Sequence, residues 1–560
     1  MEKRVKRIER ICITGIAVLA TVAGVGVCML LFPAASPDDA RQTQDAEQRF
    51  PAGQSAQPAQ DDAGESGAQL ARRTDYLPDG VLYGGRLPVT QFIAADGSVR
   101  SLDDYRGKTL MLMFWGSWCP YCDRALEHSD EFARVLEEYP QVQLLLIDKL
   151  DEGKGETVEK AQEHLARLGV PFESLYDEGL RAVEAYGLKQ IPTVLVLDED
   201  GYLRAMTTQA PNSGEELRTL LDDALSGGGE STLRFVCEKL TGEDGGIYTT
   251  LVPGGDSPTG KDVLSESQGI MMRVALQMDD QELFEKSYRC ARERLAREGV
   301  FCWYARQEGE QAGANALIDD LRIYAALRDA GARWGSYREE AAALAQAIWD
   351  HNVVKGHPVG YYDFSQGRAG NALPLCYIDL RALRLLADDV PAFAAVADEA
   401  ERVLSEGMIS DAFPLYYASY DFDTKRYGTQ SLNTAEALMA LYHAVCAGVA
   451  PRRAIDWLAE RVAAGTLAAR YDVNGEPVRG FDYDSTAAYA IAALIGAEAQ
   501  DARLYTAARN RMEKYHVTEA GALKGSFCDR ADGSDIIAFD QLLPLLVYTG
   551  TKDVVLEPQG

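Results

Sequence analysis

Basic residues are scarce in this chain of 560 residues, where 56 lysines and arginines face 86 aspartates and glutamates and the formal net charge is −30. A protein that binds phosphate backbones needs a basic stripe. The one dense positive cluster is short and lies at the start, at Lys3, Arg4, Lys6, Arg7 and Arg10. Bulk nucleic-acid binding is therefore excluded. Disorder of the whole chain is excluded too, because 47% of the residues are hydrophobic and can bury a large core.

Cysteine and histidine are also few. Ten cysteines are too few for a disulfide scaffold in a chain of this length. The sequence has a single Cys-x-x-Cys pair, and its six histidines lack metal-ligand spacing, so no metal site is predicted. No cofactor is predicted either. Six scattered cysteines fall mostly on predicted apolar faces, where we expect small buried residues rather than disulfides. These are Cys237, Cys290, Cys302, Cys376, Cys446 and Cys528.

The first 75 residues predict a membrane anchor and a tether. Residues 11–32 carry no charge, and a helix of that length spans about 33 Å, enough to cross a bilayer. Basic residues stay cytoplasmic, so we expect the chain beyond residue 33 to lie outside, where disulfides form. A cleaved signal peptide and a lipoprotein attached through Cys28 are the alternatives. Residues 33–75 are rich in Ala, Gln, Asp, Pro, Gly and Ser and predict a disordered tether.

Residues 76–226 predict an α/β domain with a redox motif. An apolar strand ends at Trp115 and is followed by a tight turn, Cys119, Cys122 and a helical pattern. Backbone N–H groups at the start of that helix stabilise a thiolate, so Cys119 is predicted to attack and Cys122 to resolve the mixed disulfide. Protein dithiols and disulfides are the expected clients. Further buried strands are predicted at 142–147 and 193–197, and a helix at 158–168.

Trp118 to Cys122, together with Ile191-Pro192-Thr193, resembles the thioredoxin fold. Two inserts, Lys149 to Glu159 and Val170 to Asp177, resemble those of the TlpA/ResA group of membrane-tethered thiol-disulfide oxidoreductases. The resemblance implies a cis peptide bond before Pro192, and it implies that Trp118, Ile191 and Pro192 bind an extended client. Two positions depart from the family pattern. Met113 stands where thioredoxins carry a buried aspartate, and Ala125-Leu126-Glu127 stands where TlpA-like proteins often have Glu-x-Pro. The resemblance therefore does not identify the group that exchanges protons.

Three glycines at 226–229 mark a domain boundary. Residues 230–560 predict twelve helices, and these would form six hairpins that close into an all-α (α/α)6 toroid. The predicted ranges are 232–240, 266–278, 280–297, 315–331, 337–352, 373–387, 391–407, 430–448, 452–464, 484–497, 501–514 and 536–548.

Ser265-Glu266-Ser267-Gln268-Gly269 resembles the segment of glycoside hydrolase family 8 that holds the general acid, and Asp320 to Trp334 resembles its Asp-x-Asp helix. The resemblance implies that Glu266 is the acid and that Asp320 binds sugar. The first aspartate of the family's helix falls on Ile318, so the carboxylate that distorts the sugar is missing or is supplied by Asp319. The alternative for Glu266 is a capping box made by Ser265 and Gln268.

Inverting hydrolysis needs a second group that holds water about 6.5 to 9.5 Å from the acid. Asp379, Asp411, Glu436 and Asp484 are open candidates, because the family's aspartate and arginine are missing at the matching position, Asn433 to Glu436.

The leading hypothesis is a membrane-anchored extracytoplasmic thiol-disulfide oxidoreductase fused to a toroid that hydrolyses or binds cell-surface polysaccharide. In one alternative the toroid is the main enzyme and the redox domain its accessory. In another the toroid is a non-catalytic carbohydrate-binding scaffold.

Overall fold

The structure is a computed structural model and describes residues 80–225, 229–254, 257, 259–517, 521–552 and 554–556. The predicted membrane segment and tether, residues 1–75, lie outside the described residues. None of the described helices combines the length and apolarity that a bilayer crossing requires.

The first part of the described chain, residues 80–225, is an α/β layer structure. Its strands are β1 Gln91–Ile93, β2 Val99–Ser101, β3 Thr109–Trp115, β4 Val142–Asp148, β5 Glu173–Tyr176, β6 Thr193–Leu197 and β7 Leu203–Thr207. Its helices are α1 Pro120–Leu126, α2 Ser129–Leu136, α3 Val158–Leu168, α4 Arg181–Tyr186 and α5 Gly214–Leu225.

The seven strands form one sheet in the order β2-β1-β5-β4-β3-β6-β7. β3 lies parallel to β4 and antiparallel to β6 in its centre. All seven residues of β3 are buried, as expected for a central strand covered on both faces, which reads as a continuous apolar run. The predicted α/β fold is confirmed, and the redox motif follows the central strand.

The second part, residues 229–556, is helical and is called the toroid below. Its helices are α6 Glu230–Phe235, α7 Ser265–Met278, α8 Gln281–Cys290, α9 Leu317–Trp334, α10 Arg338–Asn352, α11 Leu380–Asp389, α12 Phe393–Glu406, α13 Thr434–Cys446, α14 Arg452–Ala464, α15 Thr486–Glu498, α16 Ala502–Glu513 and α17 Ala538–Gly550.

Six of these helices form a closed inner ring. Each of α7, α9, α11, α13, α15 and α17 packs against the next, and α17 returns to α7. α15 has eleven buried positions in succession, from Ala487 to Ala497, and all of them carry apolar, aromatic or small side chains. It shows no polar face, because it is covered by the ring and by an outer helix. The expected (α/α)6 toroid is confirmed.

Two predicted helices begin later than expected. The helix expected at 373–387 starts at Leu380, because Ala372–Pro374 is a strand and Leu375–Tyr377 a short 3₁₀ turn. The helix expected at 430–448 starts at Thr434, because Leu432–Asn433 pairs with a second short strand. Periodicity alone hid these two- and three-residue strand pairs, since they are too short to show alternation.

The described cysteines agree with the expectation of few disulfides. Cys290, Cys302, Cys376 and Cys528 are buried, whereas Cys237 is exposed. One disulfide is present among the described residues, and it joins Cys119 to Cys122.

Candidate functional site

The redox turn, residues 116–122, joins the end of β3 to the start of α1. Cys119 is the N-cap of α1, and Pro120 occupies the first helical position, where proline costs no hydrogen bond. Cys119 and Cys122 are joined as a disulfide. The backbone N–H of Cys122 donates to Cys119 Sγ at 3.2 Å. An N–H aimed at this sulfur stabilises a negative charge there after reduction, and this favours Cys119 as the attacking thiolate.

The segment before β6 borders Cys119. The Ile191–Pro192 peptide bond is cis, as the resemblance implies, and Cys119 Sγ lies 3.6 Å from the carbonyl oxygen of Ile191. Residues 191 and 192 are therefore close enough to the reactive sulfur to contact a client bound there.

Positive charge surrounds the Trp118 ring. The ammonium groups of Lys154 and Lys149 lie 5.4 and 6.0 Å from its centroid. These distances are in the range of cation–π attraction.

A buried carboxyl faces the same side of the sheet as the cysteines. Asp148 ends β4, opposite Trp115 of β3 and Tyr176 of β5. Successive side chains of a strand point to opposite faces, so Asp148 shares its face with Leu144 and Leu146. These leucines pack in one cluster with both cysteines. Asp148 is fully buried.

Glu156 connects this carboxyl to the redox turn. Its two oxygens accept hydrogen bonds from the backbone N–H of Ser117 at 3.0 Å and from the Ser117 hydroxyl at 2.6 Å. Burial, together with the neighbouring Glu156 carboxyl, raises the pKa of Asp148 to about 8. Asp148 therefore carries a proton at neutral pH. Sequence reasoning missed this pair, although an aspartate that closes an otherwise apolar strand was the available signal.

The second cluster lies at the end of the toroid where the inner helices begin, which we call the mouth. Connections of two to five residues join each of α7, α9, α11, α13 and α15 to the following outer helix, so each pair is antiparallel and the inner helices run in one direction. The positive ends of their dipoles consequently meet at the mouth.

Glu266, Asp319 and Arg322 come together at this mouth. Arg322 Nη1 lies 3.2 Å from Glu266 Oε1 and 3.0 Å from Asp319 Oδ1. The Ser265 hydroxyl donates to the other oxygen of Asp319 at 2.7 Å. The Glu266 side chain keeps 15% of its surface exposed and that of Asp319 keeps 7%, so Glu266 is the more accessible acid.

Burial raises the pKa of Glu266 to about 7, against the opposing effect of Arg322 and with a further contribution from the charge on Asp319. A carboxyl with this pKa holds its proton in part of the molecules at neutral pH, as a general acid requires. The capping box of Ser265 and Gln268 is not formed, although Glu266 does lie in the first turn of α7, where an acid also favours the helix dipole. Leu264 is the N-cap without a side-chain bond, and the Gln268 amide, oriented to satisfy both groups, bonds to Gly245 and Ile247.

Asp320 lies apart from this cluster, although it follows Asp319 directly. It is fully buried, and its oxygens accept from the Phe301 N–H at 2.9 Å and from Asn315 Nδ2 at 2.7 Å. Burial raises its pKa well above the usual value. These bonds tie α9 to two chain segments before it, and they leave no exposed oxygen for a ligand.

The four candidates for the second group occupy different surroundings. Asp379 caps α11 by accepting from the Ala382 N–H at 3.0 Å, and Glu436 lies in the first turn of α13. Asp411 is 83% exposed and pairs with Arg453. Asp484 accepts from the Tyr489 hydroxyl at 3.2 Å. The identity of the second group stays a prediction.

Asp540 is a carboxyl that sequence reasoning missed. It lies in the first turn of α17, which packs against α7, the helix that begins with Ser265 and Glu266. Asp540 Oδ1 accepts from the Ala487 N–H at 3.2 Å, and burial raises its pKa to about 7. An acid in the first turn of an apolar helix was the available signal, but such residues also serve as ordinary dipole partners.

Two known families match the chain. Residues 75–222 match the redoxin family, and residues 254–374 match the glycosyl hydrolases family 8. The first match contains the redox turn and the second contains the cluster of Glu266, Asp319 and Arg322.

Individual proteins are similar to parts of the chain. Thiol-disulfide oxidoreductase ResA of Geobacillus thermodenitrificans is 30% identical over 119 residues, which are 21% of this chain and 65% of ResA. The Bacillus subtilis protein named "Putative lipoprotein YdaJ" is 28% identical over 323 residues, 56% of this chain and 84% of YdaJ. A solved structure described as a novel alpha-amylase from Clostridium perfringens is 26% identical, with a TM-score of 0.54, and the match covers 57% of this chain and 96% of that one.

Proposed function

We propose that this chain, which joins a redoxin domain to a domain of glycosyl hydrolase family 8, catalyses thiol-disulfide exchange outside the cytoplasm and acts on glycan through its toroid. The observation that carries the redox proposal is the Cys119–Cys122 disulfide beside the cis Ile191–Pro192 bond. The similarity of the chain to ResA supports it.

In the proposed reaction the Cys119 thiolate attacks one sulfur of a client disulfide and releases the other as a thiolate. Cys122 then attacks Cys119 Sγ, which releases the reduced client and leaves the enzyme disulfide. When a partner dithiol reopens this disulfide, Cys122 leaves as a thiolate and needs a proton. Asp148 is protonated at neutral pH and faces the cluster that contains Cys122, so we assign it as the proton donor.

Reduction of insulin by dithiothreitol tests the redox proposal. The protein should accelerate it, and Cys119→Ser should abolish the acceleration. Cys237→Ser is the matched control, because Cys237 is exposed and outside the redox turn. A wild-type protein without turnover, or full activity in Cys119→Ser, contradicts the proposal.

For the toroid we propose glycoside hydrolysis with Glu266 as general acid. The support is an accessible carboxyl whose pKa is raised to about 7, at a mouth that collects six helix N-termini. Asp540 on the neighbouring helix α17, with its pKa raised to about 7, is our candidate for the group that holds the attacking water. We propose that Asp319, held by Ser265 and Arg322, binds sugar next to Glu266.

Reducing ends released from β-glucan, xylan and chitosan test this second proposal. Glu266→Gln should lower release by about 10²- to 10⁴-fold, and Glu282→Gln, in the first turn of the outer helix α8, should not. If the wild-type protein binds one of these glycans but cleaves none of them, the toroid is a carbohydrate-binding scaffold.

We also propose that the N-terminal apolar run anchors the protein in the membrane with the described residues outside. The apolar stretch and the basic residues before it support this, as does the similarity to a protein named as a lipoprotein. Membrane fractionation and the mass of the mature protein distinguish the three routes. An intact N-terminus indicates a spanning helix, cleavage before Cys28 with an added lipid indicates a lipoprotein, and a released protein indicates a signal peptide.

A further inference from the structure

The redoxin domain and the toroid meet in a contact that neither proposed activity uses. On the redoxin side it involves Tyr83, Gly84, Arg204, Thr219 and Asp223. On the toroid side it involves Ser231 of α6, Arg509 of α16, Lys524, Val554 and Leu556. Domains of one chain move relative to each other by default unless their interface is large and well packed. The contacts between the two domains decide whether they move independently or as one body.

A buried cation lies in the centre of this contact. Arg509 of α16 is 6% exposed, and its guanidinium lies 4.1 Å from the centroid of the Tyr83 ring, 5.3 Å from Tyr548 and 5.9 Å from Tyr505. Tyr83, from the redoxin side, is the nearest ring and is itself 2% exposed. Separation of the domains would remove this ring and expose an apolar patch around the cation.

The charge of Arg509 is balanced within the toroid. Arg509 Nη2 lies 3.6 Å from Glu513 Oε1, and both side chains are almost fully buried. His516 Nδ1 lies 3.4 Å from the other Glu513 oxygen. A buried guanidinium is costly unless it is paired, and this pair explains how Arg509 can stay buried beneath the tyrosine.

Hydrogen bonds between Gly84, Arg204 and the segment 554–556 lie beside Tyr83, and we call this set of bonds the seam. The N–H of Gly84 donates to the Leu203 carbonyl at 2.8 Å, and the N–H of Leu556 donates to the Gly84 carbonyl at 3.1 Å. Arg204 Nη1 donates to the Val554 carbonyl at 2.8 Å. The segment after α17 is therefore hydrogen-bonded to the redoxin domain through Val554 and Leu556.

Gly84 fits this seam for two physical reasons. Its φ of +71° is in the left-handed region, and a Cβ there would lie 2.7 Å from the Val554 carbonyl oxygen. Gly97 has a similar φ of +79°, but a Cβ there would meet nothing within 4 Å. A comparison of alanine substitutions at these two glycines therefore separates the effect of backbone strain from the effect of a clash with the segment 554–556.

Polar contacts also join the helices on both sides of the boundary. The N–H of Ser231 in α6 donates to Asp223 Oδ1 of α5 at 3.1 Å, and Lys524 Nζ donates to the Thr219 hydroxyl at 3.4 Å. The contact therefore extends from Tyr83 across the seam to α5.

We propose that the redoxin domain is docked on the toroid as one rigid and cooperative unit, locked by the Tyr83–Arg509 contact and by the hydrogen bonds of the segment 554–556. The redox turn and the toroid mouth then keep a constant separation and orientation. This docking does not depend on either proposed activity.

Hydrogen exchange and calorimetry of the full chain test the docking. In the wild-type protein, the peptide that contains Val554 to Leu556 should be protected, and heating should give one unfolding transition. Gly84→Ala should make this peptide exchange at least about tenfold faster, and the redoxin domain should unfold separately. Gly97→Ala should leave both observations at the wild-type values, because it adds strain without touching the seam.

Tyr83→Ala provides a second route if Gly84→Ala does not fold, since it adds no backbone strain. It too should raise the exchange of the 554–556 peptide and split the transition. Two transitions in the wild-type protein, together with unprotected exchange at 554–556, overturn the proposal. So do equal effects of Gly84→Ala and Gly97→Ala.

Discussion

The redox turn and the toroid mouth differ in how far apart their functional residues lie along the chain. Cys119 and Cys122 are three residues apart and lie on one helical turn. Glu266 and Arg322 belong to two inner helices, α7 and α9, and meet only because these helices pack together, while Asp540 lies on a third inner helix, α17, that packs against α7. A site formed within one turn is readable from a motif, whereas a site formed by tertiary packing leaves only single acids in first turns.

The two sites also manage charge in opposite ways. The redox turn has lysines around Trp118, and the backbone N–H of Cys122 donates to Cys119 Sγ. The mouth concentrates carboxyls, and Arg322 pairs with two of them. The reaction proposed for the redox turn therefore depends on stabilising an anion, and the reaction proposed for the mouth depends on retaining a proton.

The largest expected effect tests the division of labour between the two cysteines. Cys122→Ser should abolish turnover and accumulate a mixed disulfide between Cys119 and the client, because no second thiol is left to release it. Mass spectrometry under non-reducing conditions detects this adduct. Cys237→Ser should accumulate none. An adduct at any cysteine other than Cys119 contradicts the assignment of the attacking thiol.

The next effect separates two adjacent aspartates at the mouth. Asp320→Ala leaves the Phe301 N–H and the Asn315 amide without their acceptor in a buried region, so it should lower the free energy of unfolding by about 2–5 kcal/mol. Asp319→Asn keeps an acceptor for the Ser265 hydroxyl and should lower glycan cleavage or binding with a smaller change in stability. Urea unfolding and the glycan assays measure the two outcomes. Loss of activity without loss of stability in Asp320→Ala would reverse the roles.

These differences explain how much the sequence could predict. Both fold classes followed from it, because long apolar runs and helical periodicity report burial directly, and the redox residues followed from one local motif. The partners of Glu266 could not be predicted, because Arg322 reaches it from another helix. Asp148 was hidden for a related reason: its proximity to the cysteines depends on the register of β4 against β3, which the chain order does not state.

A third prediction concerns the buried acid below the redox turn. The native pKa of Asp148, about 8, lies above the unfolded value near 3.9. The native state therefore binds more protons between these values, and this group makes stability fall as pH rises from about 4 to 8, by at most about 1.4 kcal/mol per pH unit. Asp148→Asn should remove that part of the slope and should slow reduction of the enzyme disulfide at neutral pH.

Urea unfolding at several pH values measures this slope, and stopped-flow reduction by dithiothreitol measures the rate. Asp200→Asn is the control, because Asp200 lies exposed in the β6–β7 turn. If Asp148→Asn and the wild-type protein lose stability equally between pH 5 and pH 8, the carboxyl does not hold a proton in the native state.

The smallest effect, a shift in a pH profile, tests whether the mouth retains its proton as proposed. The guanidinium of Arg322 lowers the pKa of Glu266, and the charge on Asp319 raises it. Arg322→Met removes the lowering influence, so the pKa of Glu266 should rise, by about one unit. A general acid loses activity as pH rises through its pKa, so the basic limb of kcat/KM for glycan cleavage should move to higher pH. Arg273→Met is the matched control, because Arg273 lies on α7, the helix that carries Glu266, but pairs with Asp329. If the basic limb of the pH profile does not move in Arg322→Met, a group other than Glu266 donates the proton. Asp540 would then be the first residue to test, because burial raises the pKa of this carboxyl to about 7 as well.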